Sequence, residues 1–91
     1  LLKMAYKIIA SKQFAKDYSK LDEIAKIRIK AFILQTLKTL NNPRSIGKPL
    51  KGKYKGAWRY RVGAYRILAD IRDKELILQL IKLSHRRSIY Q

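Results

Sequence analysis

Trp58-Arg59-Tyr60-Arg61-Val62-Gly63-Ala64-Tyr65-Arg66-Ile67-Leu68-Ala69-Asp70-Ile71 reads as a β-hairpin. Its first five residues alternate with period two, the spacing of a strand that turns one side to a core and the other outward. Gly63-Ala64 suits a two-residue turn with glycine at the first central position, where a positive φ is needed. With those two residues in the turn, Val62 pairs with Tyr65, Arg61 pairs with Arg66, and Arg59 faces Leu68. Trp58, Tyr60, Val62, Tyr65, Ile67 and Ala69 then share an apolar face, and Arg59, Arg61 and Arg66 share the other. Like charges directly opposite on a sheet cost up to about 1 kcal/mol. A chain that sets Arg61 against Arg66, with Arg59 alongside, keeps an unfavourable arrangement that a bound anion would relieve. The guanidinium fork matches a phosphate with two parallel hydrogen bonds. The alternative is that these arginines splay into water or pair with a cross-strand acid such as Asp70.

Working outward, Arg72 to Glu75 is a second polar turn. Leu76 to Leu83 is apolar on both faces except at Gln79 and Lys82, which predicts a central strand. Ser84 to Gln91 reads as a basic, polar tail. Upstream of the hairpin, Arg44 to Gly56 is loop-like, punctuated by glycine and proline, and carries Arg44, Lys48, Lys51, Lys53 and Lys55. Ile24 to Leu40 contains neither residue, and Ile29, Phe32, Ile33, Leu37 and Leu40 form a helical stripe. Asp22 is its N-cap candidate, and Asn41-Asn42-Pro43 ends it, because the residue before proline is pushed out of the α region. Ser11 caps a shorter helix, about Lys12 to Lys20, with Phe14, Tyr18 and Leu21 on one face. Ala5 to Ala10 reads as a first strand. The order β-α-α-β-β-β predicts one α+β domain over residues 4–91: a small, mostly antiparallel sheet with an N-terminal helical hairpin packed on one face. Leu1-Leu2-Lys3, ahead of the single methionine Met4, are left outside that domain.

Composition narrows the function. The 91 residues hold 22 Lys+Arg against 6 Asp+Glu, a formal net charge of +16. From Ile24 to Ala69 there is no acid, while twelve basic residues fall in that stretch. Such a domain repels itself unless it meets anions. Nucleic acid is the leading partner, ahead of an acidic protein and an anionic membrane surface. The absence of cysteine excludes disulfides, zinc–thiolate sites and thiol nucleophiles. A single histidine, His85, excludes a multi-histidine metal site. Nothing approaches 18 consecutive apolar residues, and no charged segment leads into a long apolar one, so neither a membrane span nor a secretory signal is expected. The expectation is a cytoplasmic protein without cofactor or metal.

The tail extends the basic face. Arg86 and Arg87 can join a phosphate site, and Tyr90 offers a ring for base stacking. His85 is the only side chain here whose ordinary pKa lies near neutrality. A lone histidine is nevertheless more often structural than catalytic.

Three segments in order carry a family resemblance: Gly47-Lys48-Pro49-Leu50-Lys51-Gly52, Trp58 to Ile67 of the hairpin, and His85-Arg86-Arg87-Ser88-Ile89-Tyr90. Together with Tyr6-Lys7-Ile8 and Phe14-Ala15-Lys16-Asp17-Tyr18, they resemble RelE-type toxins of bacterial toxin–antitoxin systems over nearly the whole chain. The resemblance implies a RelE-like fold and a ribosome-dependent endoribonuclease that cuts mRNA without a metal. It implies catalytic roles for Arg59, Arg61, Arg66, Arg86 and Tyr90, with Lys48, Lys51, Lys53, Lys55 and Arg87 following RNA. Family members carry lysines where Arg59 and Arg61 stand here. Arginine does not give up its proton, so His85 or Tyr90 is left as the general base. The implied partners are the ribosome with its mRNA and an acidic antitoxin that folds across the basic surface, with DNA met only through the toxin–antitoxin complex. The rival readings are a ParE-like, non-catalytic inhibitor of DNA gyrase, a degenerate toxin that binds antitoxin without cleaving RNA, and a plain nucleic-acid-binding module.

Overall fold

The computed structural model describes residues 5–86, so Met4, Arg87 and Tyr90 lie outside the described residues. Strands β3 (Trp58–Val62) and β4 (Tyr65–Arg72) form the hairpin in the register read from the sequence. Val62 is opposite Tyr65, Arg61 opposite Arg66, and Arg59 opposite Leu68. Gly63 in the turn has φ +59°, the left-handed conformation that glycine enters without penalty. Strand β5 (Ile77–His85) pairs antiparallel with β4 on one side. On its other side it pairs in parallel with β1 (Lys7–Ala10), which is the parallel exception in an otherwise antiparallel sheet. A two-residue strand β2 (Lys48–Pro49), read from the sequence as loop, adds to the free side of β3. The sheet order is β1-β5-β4-β3-β2, so β5 is interior and β4 is the middle strand.

Helices α1 (Lys12–Ser19) and α2 (Glu23–Gln35) cover one face. Both predicted caps form: Ser11 Oγ accepts from the Phe14 N–H at 3.0 Å, and Asp22 Oδ1 from the Ala25 N–H at 2.8 Å. Helix α2 stops at Gln35, five residues short of the expected Leu40. A 3-10 turn over Leu37–Thr39 follows, where the Thr39 hydroxyl donates to the carbonyls of Gln35 and Thr36. Such side-chain bonds offer the backbone an alternative to the α-helix, and Leu37 is still buried. The core lies between layers. Tyr60, Ile67 and Ala69 of the hairpin and Leu78, Leu80 and Leu83 of β5 meet Phe14, Ile29 and Leu37 from the helical side.

The β4–β5 ladder contains one slip. Leu68 pairs with Lys82 but Ala69 pairs with Leu80, so Ile81 is an extra residue on β5. Strand β1 also ends here, at Ala10 opposite Leu80. Beyond that point β5 has an edge with no strand to satisfy it, and α1 supplies the missing partners. Ser11 Oγ donates to the Ile81 carbonyl at 2.8 Å, and Asp17 Oδ2 accepts from the Leu83 N–H at 3.0 Å. Gln13 Nε2 holds the other Asp17 oxygen at 2.7 Å. Asp17→Ala leaves the Leu83 N–H without its acceptor and should lower the unfolding free energy by about 1–3 kcal/mol, read by urea denaturation. Asp17→Asn, which keeps an acceptor oxygen, should lose less.

A second tie joins three distant segments. Arg44 grips Asp73 with two hydrogen bonds, 2.9 and 3.1 Å, and Tyr6 donates to the same carboxylate at 2.6 Å. The Arg44 bonds, then the Tyr6 bond, hold the Asp73 carboxyl below the usual carboxylate range. A carboxyl with a lowered folded pKa contributes stability above the ordinary range and loses it as pH falls through the folded value. Asp73→Asn should therefore be less stable than wild type at neutral pH. Its unfolding midpoint should also vary less below about pH 4, where the wild-type carboxylate protonates.

Candidate nucleic-acid interface

The face of the sheet turned away from the helices collects the basic residues. Strand alternation puts Arg59 and Arg61 of β3 on it, with Arg66 opposite Arg61. Lys48 of β2 pairs with Arg59, and on β5 Lys82 pairs with Leu68 and Ser84 with Arg66. Lys82 and Ser84 were absent from the sequence-level candidates. Their signal was a change of phase in β5, where core leucines fall at 78 and 80 and then at 83. The extra residue Ile81 absorbs the shift and turns Lys82 and Ser84 to the arginine side.

The loop between β2 and β3 folds back over this same face. Leu50 and Tyr54, with Ala57, pack on Leu68 as a small second apolar cluster. That anchorage leaves Lys51, Lys53 and Lys55 exposed, with Lys53 Nζ 5.7 Å from the centre of the Tyr54 ring. The start of the loop is pinned to β3. Gly47 has φ +84°, and a Cβ there would run into the Arg59 carbonyl oxygen and Trp58 Nε1, so only glycine lets the chain approach. Trp58 Nε1 donates to the Ile46 carbonyl at 2.8 Å, and the buried Tyr60 hydroxyl donates to the Pro43 carbonyl at 2.5 Å. Burial pushes the Tyr60 phenol up to about 12, so it stays a neutral donor. Beside the start of β2, a cavity of about 260 Å³ is lined by Phe32, Ile46, Lys48, Arg59, Tyr60 and Arg61.

Asp70 accepts from Arg72 Nε at 3.1 Å, and Arg72 also reaches Gln79 at 3.0 Å, a network at the far end of β4. Arg61 is exposed, and among the described residues no acidic side chain forms an ion pair with it. Among the described residues, too, no group of three or more His, Cys, Asp or Glu is placed to hold a metal ion. The arrangement is a preorganised set of cations that can bind phosphate and stabilise negative charge growing on phosphoryl oxygens.

The predicted tail residues divide. His85 is the last residue of β5 rather than part of a tail, and it pairs with Tyr65. Its ring meets the Tyr65 ring edge-on at 5.4 Å. That register places it on the Tyr65 side of the sheet, opposite to Arg61 and Arg66, so the structure does not bring His85 into the arginine cluster. Arg86 follows directly, and its N–H donates to the Ala64 carbonyl at 2.7 Å, which ties it to the hairpin turn beside Arg61 and Arg66. Arg87 and Tyr90 lie outside the described residues.

A family model described as the ParE toxin of type II toxin–antitoxin systems matches residues 8–90. The chain belongs to the RelE/ParE toxins. It is 34% identical over 86 residues to the toxin RelE3 of Methanocaldococcus jannaschii, covering 92% of this chain and 94% of that protein. It is 29% identical over 86 residues to the toxin RelE of Mycobacterium tuberculosis, covering 94% of this chain and 87% of that one. Among solved structures, the RelBE2 toxin–antitoxin complex of Mycobacterium tuberculosis superposes with TM-score 0.80 and 26% identity, over 90% of this chain and 92% of the other. The RelE-like α+β architecture expected from the sequence is thus present, and the protein is a toxin of this superfamily.

Because Arg61 is held against a like charge, Arg61→Thr should leave stability unchanged or raise it by up to about 1 kcal/mol. The same change should weaken binding to single-stranded RNA and lower the slope of log K against log salt by about one. Thermal unfolding and a salt titration of binding measure the two effects on one variant.

Proposed function

We propose that this toxin is a metal-independent endoribonuclease that cuts mRNA on the ribosome and is held in check by an acidic antitoxin in the cytoplasm. The observation that carries the proposal is the exposed Arg61 set directly opposite the half-buried Arg66 on the sheet face away from the helices, with Arg59 and Lys48 beside them. The RelE toxins among its relatives and the RelB-bound state of a structural neighbour support the same reading. Among the described residues no helix is long and apolar enough to cross a membrane.

In this reading Arg61, Arg66 and Arg86 bind the scissile phosphate, and Arg59 adds charge at the edge of the site. The RNA 2′-oxygen forms a bond to phosphorus and gives up its proton. The bond from phosphorus to the 5′-oxygen breaks, and that oxygen takes a proton. A 2′,3′-cyclic phosphate and a 5′-hydroxyl result. The arginines stabilise the charge that gathers on the phosphoryl oxygens in between. His85 faces Tyr65, away from the arginines, so the proton transfers are assigned to Tyr90. Lys48, Lys51, Lys53, Lys55 and Arg87 track the RNA backbone.

Arg66→Ala with Arg86→Ala should abolish growth arrest on expression while antitoxin binding persists. Primer extension on cellular mRNA after induction should show translation-dependent cuts for the wild type and none for the double variant. The ParE description of the matching family model favours one second reading, a non-catalytic inhibitor of DNA gyrase. That reading predicts uncut mRNA and altered plasmid supercoiling. A wild type that leaves both mRNA and supercoiling untouched would instead be a degenerate toxin.

A further inference from the structure

Strand β3 loses its outer neighbour half-way along. Strand β2 pairs with it at Trp58 and Arg59, and among the described residues no strand lies beside Arg61 on that side. With Gly63-Ala64 in the turn, Val62 and Tyr65 form a hydrogen-bonded pair, so Arg61 and Arg66 occupy a non-hydrogen-bonded one. The Arg61 N–H and C=O therefore point away from β4, toward the open edge. The cavity of about 260 Å³ lies at this edge. Phe32 and Tyr60 line it from the helical layer and the core, and Ile46 lines it from the loop before β2. Lys48, Arg59 and Arg61 line it too, and strand alternation turns these three side chains to the basic face. The cavity thus joins the apolar edge of the helical layer to the phosphate-binding side. Its walls are pinned. The Ile46 carbonyl accepts from Trp58 Nε1 at 2.8 Å, the Pro43 carbonyl accepts from the Tyr60 hydroxyl, and Gly47 is wedged against the Arg59 carbonyl oxygen.

We propose that this cavity receives one nucleobase of the RNA strand whose phosphate lies on Arg61 and Arg66. The link to RNA rests on the nuclease reading above; the cavity and its lining do not. A nucleobase has two apolar faces and an edge that both donates and accepts hydrogen bonds, and the cavity offers a complement to each. The Phe32 ring and Ile46 meet the faces, as aromatic side chains do for unstacked bases. The Arg61 N–H and C=O supply one donor and one acceptor at the strand edge. The volume sets the size of the occupant. Pockets for drug-sized ligands run from about 300 to 1,000 Å³. A cavity of about 260 Å³ holds a ring system and leaves the ribose and phosphate outside. The cations set its class. Lys48, Arg59 and Arg61 attract the phosphates on either side of the base, and among the described residues no acid lines the cavity. An aromatic side chain of a protein would meet the same apolar wall but bring no phosphate to these cations. Arg61 acts twice in this arrangement, its guanidinium on the phosphate and its main chain on the base. The distance from the scissile bond to the base that is read is fixed within one residue.

The test titrates the full chain with AMP, GMP, CMP and UMP, and with ribose 5-phosphate as the same phosphate without a base, followed by amide NMR. At least one nucleotide should bind about fivefold or more tightly than ribose 5-phosphate, the low end of what one stacked base adds. That nucleotide should shift the amide resonances of Gly47 and Arg61, and ribose 5-phosphate should move them less. Ile46→Trp fills the cavity. It should bring the best nucleotide down to the affinity of ribose 5-phosphate, while ribose 5-phosphate itself changes less than about twofold. Phe32→Leu keeps an apolar side chain and removes the ring, so it should weaken the nucleotide alone. It carries the test if the tryptophan variant does not melt as a folded protein. Arg66→Ala should weaken both ligands alike, because it removes a phosphate contact and no part of the cavity. The proposal falls if ribose 5-phosphate binds as tightly as all four nucleotides. It also falls if a folded Ile46→Trp or Phe32→Leu chain keeps the full preference for the nucleotide, or if the base-dependent shifts gather on Tyr54 instead of Arg61. None of these measurements needs a ribosome or a cleaved message, so a failed primer-extension experiment and a failed titration remain distinct results.

Discussion

The fold depends on how β5 changes partners. Up to Leu80 it is hydrogen-bonded on both sides, to β1 and to β4. From Ile81 onward it keeps β4 only, and its other edge is held by Ser11 and Asp17 of α1. One extra residue in the strand therefore does three things at once. It lets leucines on either side of the slip all face the core. It turns Lys82 and Ser84 toward the arginines. It also creates the backbone groups that fix α1 against the sheet, and an unpaired backbone group there would cost as much as a lost hydrogen bond.

The two faces of the sheet then divide the chemistry. The helix side holds the large apolar core and sets the strands rigidly. Among the described residues the opposite side has a small second patch, Leu50 and Leu68 with Tyr54 and Ala57, enough to seat a lysine-bearing loop beside the exposed Arg61. Part of the charge excess seen in the composition is in this way gathered on one sheet face. Cations on a rigid strand pair cost no reorganisation when a phosphate arrives, which is the property that electrostatic catalysis needs.

Local patterns were legible in the sequence, and long-range ones were not. The hairpin register followed from Gly63-Ala64 and the period-two alternation, and both helix caps followed from Ser11 and Asp22. The parallel pairing of β1 with β5 joins residues far apart in the chain, so no local signal announces it. The early end of α2 goes with the Thr39 hydroxyl bonding to the backbone, which the apolar stripe through Leu40 concealed. His85 was misplaced because the last strand runs two residues further than its apolar run, and a shift of one position moves a side chain to the other face. Lys82 was noted only as a break in an apolar strand, although the spacing of Leu78, Leu80 and Leu83 already encoded the slip.

The parallel β1–β5 pairing also bears on when the molecule comes into being. Lys7 meets Ile77, so the first strand of the chain waits for the last before it has a neighbour. Contacts of such high sequence separation delay folding, because the loop entropy is spent before the contact forms. During synthesis β1 and the helical hairpin emerge with their apolar faces uncovered, and the sheet closes only when the C-terminal strand has left the exit tunnel. The hairpin that carries the arginines is local and can form earlier, but the scaffold that holds it stiff is completed last. Until β5 has emerged, a nascent chain of this design carries its arginines on an unfinished scaffold.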